Sequence, residues 1–361
     1  MKWKNRWKNW WIERFFSLFF YRKKNLFDPR NPRILIVSST ALGDTLWATP
    51  AIRAIKEHYP GCYLAILCQK KSCEILKNLP MIDALFSFEE PLFFSFLPLL
   101  FQLRVKKFQA IFVLHATQRL IFPLSALLQA EKMVGFRGKN KGLDALFSHL
   151  VEDQKIHEIK RRASLLHVLG IPCKNTELLY SSLQEEEAAA DLFLKKKKIS
   201  LKKPLILLHP GATDSFRRWP KKNYIELGNR LVQQLNCHLL ISGGKEEKKL
   251  IEQVSANVTG SIVLDPPLPL RTFAALIKKC DLLITNDTGP LHLAIATKTK
   301  TIGIFLPADP NLTGPLQAEH CFVISQPPPC TPCLKRKCLH PSCWEKINVD
   351  VVFKKAKNIL A

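Results

Sequence analysis

"DLLITNDTGPLHLAIATKTKTIGIF", residues 281–305, reads as strand, helix, strand. The runs "DLLIT" and "TIGIF" are short, apolar and rich in β-branched residues, and the segment between them has helical character. Two parallel strands joined this way form a right-handed crossover unit. The exit from the first strand is unusual: it passes through Asn286, Asp287, Thr288 and Gly289, where two residues would make a turn. Thr288 and Gly289 fall where the helix begins, so unpaired N–H groups and the helix dipole make an anion site there. Pro290 suits the first turn, where a missing donor does no harm. His292, one step into the helix, is at a position where a packing role is commoner than a catalytic one.

The same alternation extends outward. "PLILLHP" (204–210), "HLLISGG" (238–244) and "SIVLD" (261–265) precede it, and a separate series begins with "RILIV" (33–37), "YLAILC" (63–68) and "AIFVLHA" (110–116). Two such series predict two doubly wound α/β domains facing each other across a cleft. The predicted boundaries are a basic segment 1–28, a first domain 29–182, a linker region 183–203, a second domain 204–345 and a C-terminal helix 346–361. Within them, "PLFFSFLPLLFQLRV" (91–105) reads as a buried crossover helix, too short to span a bilayer. The acid-then-lysine stretch 183–203 reads as an exposed helix followed by a linker.

A chain of 361 residues suits two domains of about 150 residues each. An apolar content of 47% excludes disorder. The net charge of +24 implies an anionic partner: nucleic acid, an acidic membrane or a phosphorylated substrate. Dispersed basic residues and the lack of any helix-turn-helix, zinc-finger or RNA-binding sheet signature argue against nucleic acid. Residues 1–24 carry eight Lys or Arg against one Glu. Trp3, Trp7, Trp10, Trp11, Phe15 and Leu18 share one helical face, which suits a helix lying on an anionic membrane surface. The alternative is a helix docked on the protein's own surface. Glu13 and Arg14 interrupt the apolar part and no small-residue cleavage site follows, which argues against a signal peptide. The eleven cysteines form no secretory framework and fit a reducing cytoplasm, with Cys68 and Cys73 among seven scattered ones.

In doubly wound sheets, ligands sit outside the carboxyl ends of the strands. The exit "SSTALGDTLWATPA" (38–51) lacks both the dinucleotide fingerprint and the phosphate loop. Gly43 permits a turn there, and Asp44 follows at a helix start. Asp44 has two readings: an ordinary N-cap, or a carboxylate placed to take a proton from a nucleophile. The exit "HPGATDSFRRWP" (209–220) offers Gly211, Ala212 and Thr213, whose N–H groups can approach an oxyanion. Arg217 and Arg218 supply forked cations suited to a diphosphate, unless they are merely solvated surface residues. "GIFLPADP" (303–310) is a further exit.

At these residues the chain resembles glycosyltransferase family 9, the lipopolysaccharide heptosyltransferases. The likeness runs from about residue 33 to 350 through "ILIVSSTALGDTLWATPAIRAIKEHYP", "KFQAIFVLHATQRL", "MVGFRG", "HPGATDSFRRWP", "NDTGPLHLAIA" and "CTPCLKRKC". The resemblance implies a GT-B fold of two Rossmann-like domains, with the acceptor on the first and the nucleotide sugar on the second. It implies inverting transfer of heptose from ADP-heptose to the lipopolysaccharide inner core, at the cytoplasmic face of the inner membrane. It places the catalytic base at Asp44 and donor contacts at Thr213, Arg217, Arg218, Asp287, Thr288, Gly289 and His292. A ribose-binding acid is implied at Glu246 or Glu247, with Glu246 taken as the donor contact. Inversion is a single displacement that needs one base and no protein nucleophile, and departing ADP gains charge that must be stabilised. The chain has no Asp-x-Asp metal motif, which leaves the arginines and the helix start at Thr288 for that task. No cofactor is therefore expected for catalysis. Cys330, Cys333, Cys338 and Cys343 could hold a structural zinc, stay reduced or pair as disulfides.

Overall fold

In the computed structural model, which describes residues 24–39, 41–326 and 346–361, the chain divides into two units, residues 1–176 and 177–361. Unit 1 is built on six strands: β1 (Arg33–Ser39), β2 (Tyr63–Gln69), β3 (Ala84–Phe88), β4 (Ala110–Ala116), β5 (Lys132–Phe136) and β6 (His149–Val151). Their order is β3-β2-β1-β4-β5-β6, and every pair is parallel. Ile34, Leu35, Ile36 and Val37 are all fully buried, the unbroken apolar run required of a strand covered on both faces. The crossovers carry α1 (Leu42–Trp47), α2 (Thr49–His58), α3 (Lys70–Leu76), α4 (Phe96–Arg104) and α5 (Ile121–Ala126), and α6 (Glu158–Ser164) follows the last strand.

Unit 2 repeats the plan. It opens with α7 (Gln184–Lys196) and continues through β7 (Leu205–His209), α8 (Lys221–Leu235), β8 (His238–Ile241), α9 (Lys248–Ser255) and β9 (Ser261–Val263). Then come α10 (Leu270–Lys279), β10 (Leu282–Asn286), α11 (Gly289–Thr297), β11 (Thr301–Phe305), α12 (Pro310–Thr313), β12 (Cys321–Ser325) and α13 (Val349–Leu360). The strand order is β12-β11-β10-β7-β8-β9, the same winding as in unit 1. Each sheet thus reverses direction once, at β1/β4 and at β7/β10. Crossovers leave those two strands on opposite sides, so a crevice opens at their carboxyl ends.

Three expectations change. The stretch 183–203 carries the expected helix, α7, but that helix belongs to unit 2 instead of standing apart from it. Its acidic first turn (Glu185, Glu186, Glu187) and basic last turn (Lys195, Lys196) match the helix dipole. Glu186 grips Arg271 of α10 with both carboxylate oxygens, and Lys278 and Lys279 pair with Glu187 and Asp191. Second, α4 is the expected crossover, but it is buried on one side only: Leu99, Leu100 and Leu103 join the core while Leu97 and Phe101 are exposed. Third, Cys68 and Cys73 form a disulfide. Because β2 runs straight into α3, residues five apart come within 5.7 Å Cα to Cα.

The Glu186–Arg271 pair is buried at both ends, with side chains 11% and 8% exposed. Arg271 also donates to the Ser181 carbonyl at 2.8 Å, and Glu186 accepts the Leu183 N–H at 2.8 Å. Removing one partner strands a charge inside the protein, so Arg271→Met should destabilise unit 2 by about 3 kcal/mol. Chemical denaturation followed by circular dichroism measures this, and an unchanged midpoint would show that the pair contributes nothing.

Candidate active site

In unit 1 the polar residues gather at the β1/β4 reversal. Asp44 is the third residue of α1, whose N-cap position is Ala41 without any side-chain cap bond. The capping role is therefore excluded. Its carboxylate instead meets Arg162 of α6, with Nη2 at 2.5 Å from Oδ1, while Nη1 of the same guanidinium donates to the Asp44 carbonyl. Arg162 is 1% exposed, lies over the Trp47 ring at 5.1 Å, and has Glu158 Oε2 at 3.5 Å one turn away. A buried guanidinium gripping both the carboxylate and the main chain fixes where that carboxylate points. Gly43, the residue before Asp44, is buried.

His115 ends the apolar run of β4 and is paired in register with Ser38 of β1. Burial pushes its imidazole pKa down, against a smaller opposing pull from Asp44, so the ring is neutral at pH 7. Its Nδ1 is buried without a hydrogen-bond partner among the described residues.

In unit 2 the organising group is Asn286, the last residue of β10 and fully buried. Its amide donates to the carbonyls of Pro210 at 2.9 Å and Gly211 at 3.0 Å, and its Oδ1 accepts the Trp219 N–H at 2.9 Å. One side chain with both donors and an acceptor thus ties down both ends of the loop leaving β7. Trp219 is anchored in turn by its indole N–H, which donates to the Ile347 carbonyl at 2.9 Å.

That tether brings the two exits together. Arg217 Nη1 lies 3.2 Å from Asp287 Oδ2. Asp287 N donates to Ile304 O at 3.1 Å, and its Oδ1 is 3.9 Å from His292 Nε2. Asp287 is 4% exposed, and burial raises its pKa to about 6 although Arg217 works to lower it. Thr288 is the N-cap of α11 in extended conformation and makes no side-chain cap bond, and Gly289 and Pro290 follow in the first turn. Pro290 has no N–H and the Leu291 N–H donates to the Thr288 carbonyl at 3.0 Å, which leaves the Gly289 N–H as the first-turn donor without a partner within the helix. Thr213 is exposed on the facing loop, while Thr288 and Gly289 are half-buried.

Arg218 Nε donates to the Ala212 carbonyl at 2.8 Å, and its Nη2 lies 3.7 Å from Glu247 Oε1. Glu247 is the buried acid of the "KEE" turn, whereas Glu246 is exposed. Glu247 Oε2 accepts the Gly244 N–H at 2.8 Å and stands 3.9 Å from His209 Nε2. A Cβ at residue 211 would lie 2.0 Å from that same oxygen, so only glycine lets the loop pass. Burial lowers the His209 pKa to about 4, despite the nearby Glu247. The ring is neutral and joined through Nδ1 to Ser242 Oγ at 2.9 Å.

Of the residues singled out in the sequence, Asp44 lies in unit 1, and Thr213, Arg217, Arg218, Glu246, Asp287, Thr288, Gly289 and His292 lie in unit 2. Arg162, His115, His209 and the tethering contacts of Asn286, which the sequence did not single out, stand beside them. Among the described residues no group of three or more His, Cys, Asp or Glu could hold a metal ion. Cys330, Cys333, Cys338 and Cys343 lie outside the described residues.

Residues 102–343 match the model of glycosyltransferase family 9 (heptosyltransferase). The chain belongs to glycosyltransferase family 9. It is accordingly a glycosyltransferase, and its two Rossmann-like units are those of a GT-B fold. It is 25% identical to lipooligosaccharide heptosyltransferase 2 of Campylobacter jejuni, over 91% of this chain and 98% of that one. It is 24% identical to a lipopolysaccharide core heptosyltransferase of Haemophilus influenzae, over 80% and 83%. Among solved structures, a family 9 glycosyl transferase from Veillonella parvula superimposes with a TM-score of 0.82 at 20% identity, covering 94% of this chain and 98% of its own. An E. coli heptosyltransferase solved with ADP superimposes with a TM-score of 0.70 at 17% identity, covering 91% and 99%.

A carboxyl group whose pKa rises to about 6 in the fold keeps a proton that the unfolded chain has already released. It therefore subtracts stability as pH rises from about 4 to about 6, and that deficit persists at higher pH. Asp287→Asn should gain on the order of 1–3 kcal/mol over the parent at pH 7, and little at pH 4. Thermal unfolding of both proteins across this range measures the difference. A gain that shrinks as pH rises would contradict the assignment.

Proposed function

We propose that the protein transfers heptose from ADP-L-glycero-D-manno-heptose to a Kdo or heptose residue of the lipopolysaccharide inner core, by one inverting displacement without a metal ion. Asp44 takes the proton from the acceptor hydroxyl as that oxygen attacks the anomeric carbon. Arg162 is a positioning residue: its grip on Oδ1 and on the Asp44 carbonyl holds the base in one orientation. Neutral His115 beside it adds no positive charge to compete for that carboxylate.

The donor's diphosphate is assigned to unit 2, where Arg217, Arg218, Thr213 and the first turn of α11 at Thr288 and Gly289 surround the β7/β10 reversal. These groups meet the negative charge that grows on departing ADP. Asp287, braced by Arg217 and next to His292, accepts hydrogen bonds from sugar hydroxyls. Glu247 is already engaged with Gly244 and Arg218, so solvent-facing Glu246 is the acid assigned to the ribose. The acceptor is a glycolipid, and residues 1–24 would hold the enzyme at the cytoplasmic face of the inner membrane that carries it.

The observation that carries this reading is the Asp44 carboxylate, gripped by a buried arginine at the β1/β4 strand reversal instead of capping its helix. A family 9 enzyme using another nucleotide sugar would need the same base, so screening donors against one acceptor separates the two.

Asp44→Asn should reduce kcat by about 10³-fold or more while ADP affinity, measured by calorimetry, stays unchanged. Near-normal turnover by this variant would remove Asp44 as the base. Arg217→Ala should instead weaken ADP binding by about tenfold, since it deletes a charge-assisted contact, and equal affinity would remove Arg217 from the donor site.

A further inference from the structure

Among the described residues, the outer side of α4, with the short turn before it, is apolar and exposed. Helical geometry sorts residues 92–105 into two sets. Leu92, Leu99, Leu100 and Leu103 enter the unit 1 core, whereas Phe93, Phe94, Leu97, Phe101 and Val105 are between 61% and 80% exposed. Single apolar residues on a surface need no explanation, but five large ones on one short element form a patch that marks an interaction site.

The charges around the patch show what would cover it. No acidic residue occurs between 91 and 107, and Arg104, Lys106 and Lys107 close the segment. The nearest acids, Glu89 and Glu90, are hydrogen-bonded to Lys70 and Gln69. An apolar face with a basic end suits the headgroup boundary of an anionic bilayer.

Asn25, near the first of the described residues, lies at the same place. Asn25 donates its N–H to the Gln129 carbonyl at 2.9 Å and its amide to the Phe108 carbonyl at 3.0 Å. Arg104, the last residue of α4, donates to Oε1 of the same Gln129 at 3.4 Å. Asn25, which the tryptophan- and lysine-rich residues 1–23 precede in the sequence, therefore sits beside the end of the exposed stripe.

We propose that this face of α4 is a second membrane-contacting element, which inserts its phenylalanines into an anionic lipid surface alongside the N-terminal segment. It extends the membrane attachment proposed above and does not rest on the identity of donor or acceptor.

The test is cosedimentation of full-length protein with phosphatidylethanolamine–phosphatidylglycerol vesicles. A variant carrying Phe93→Ser, Phe94→Ser, Leu97→Ser and Phe101→Ser is compared with one whose four N-terminal tryptophans are replaced by serine. The α4 variant should partition about tenfold less or weaker still, with its N-terminus intact and ADP affinity unchanged. The tryptophan variant should keep a residual affinity that the α4 changes abolish. Vesicle binding by the α4 variant equal to the parent's would overturn the proposal. A second measurement covers the case in which the variant does not fold: hydrogen exchange of residues 92–105 in the parent. Slowing on addition of vesicles supports the contact. Exchange unaffected by vesicles overturns it, as does protection without vesicles that is lost when the tryptophans are replaced or the protein is diluted, because residues 1–23 or a second copy would then occupy the face.

Discussion

A parallel sheet wound in both directions must reverse once, and at that point the helices diverge and leave two strand ends uncovered. Both units of this protein obey that constraint, and in both the reversal is where charged and hydrogen-bonding side chains collect. In unit 1 it lies between β1 and β4, which deliver the Asp44 helix, Ser38 and His115. In unit 2 it lies between β7 and β10, which deliver the loop 210–219 and the start of α11. The long buried runs of Ile, Leu and Val on these strands supply the rigidity, and their ends supply the chemistry.

The two sites are held by different means. Asp44 is fixed from outside its own helix by Arg162, a residue 118 positions later, which also packs on Trp47. The loop 210–219 is fixed by the neutral amide of Asn286, which satisfies three backbone groups without adding a charge. That leaves the charges of Arg217 and Asp287 as the adjustable part. Burying Asp287 is unfavourable to the fold, and a carboxyl group kept in such a position is characteristic of a functional site.

Much of this was legible in the sequence because the buried strands are continuous apolar runs and the exits carry residues with local rules. "RILIV", "DLLIT" and "TIGIF" are strands on sight, and Thr288-Gly289-Pro290 is a helix start. Edge strands were harder to see: β3 (84–88) buries only Phe88 deeply, and β6 has three half-buried residues, so neither leaves a strong pattern. The acid-then-lysine composition of 183–203 suggested a solvated segment, because nothing local shows that Glu186 pairs with an arginine 85 residues away. Arg162 and His115 were hidden for the same reason. Their partners are set by strand order, which spacing along the chain does not encode. On spacing alone Asp44 looked better suited to capping, and only the Ala41 cap position and the Arg162 contact separate the two roles.

The central claim is that one oriented carboxylate in unit 1 activates the acceptor while unit 2 stabilises the leaving diphosphate, so that the sugar is displaced in a single step. The most direct measurement is the anomeric configuration of the product formed from ADP-heptose and a defined Kdo–lipid A acceptor, determined by nuclear magnetic resonance. The account predicts a heptosylated acceptor with configuration opposite to that of the donor. A product that retains the donor configuration, or no transfer from this donor, would contradict it.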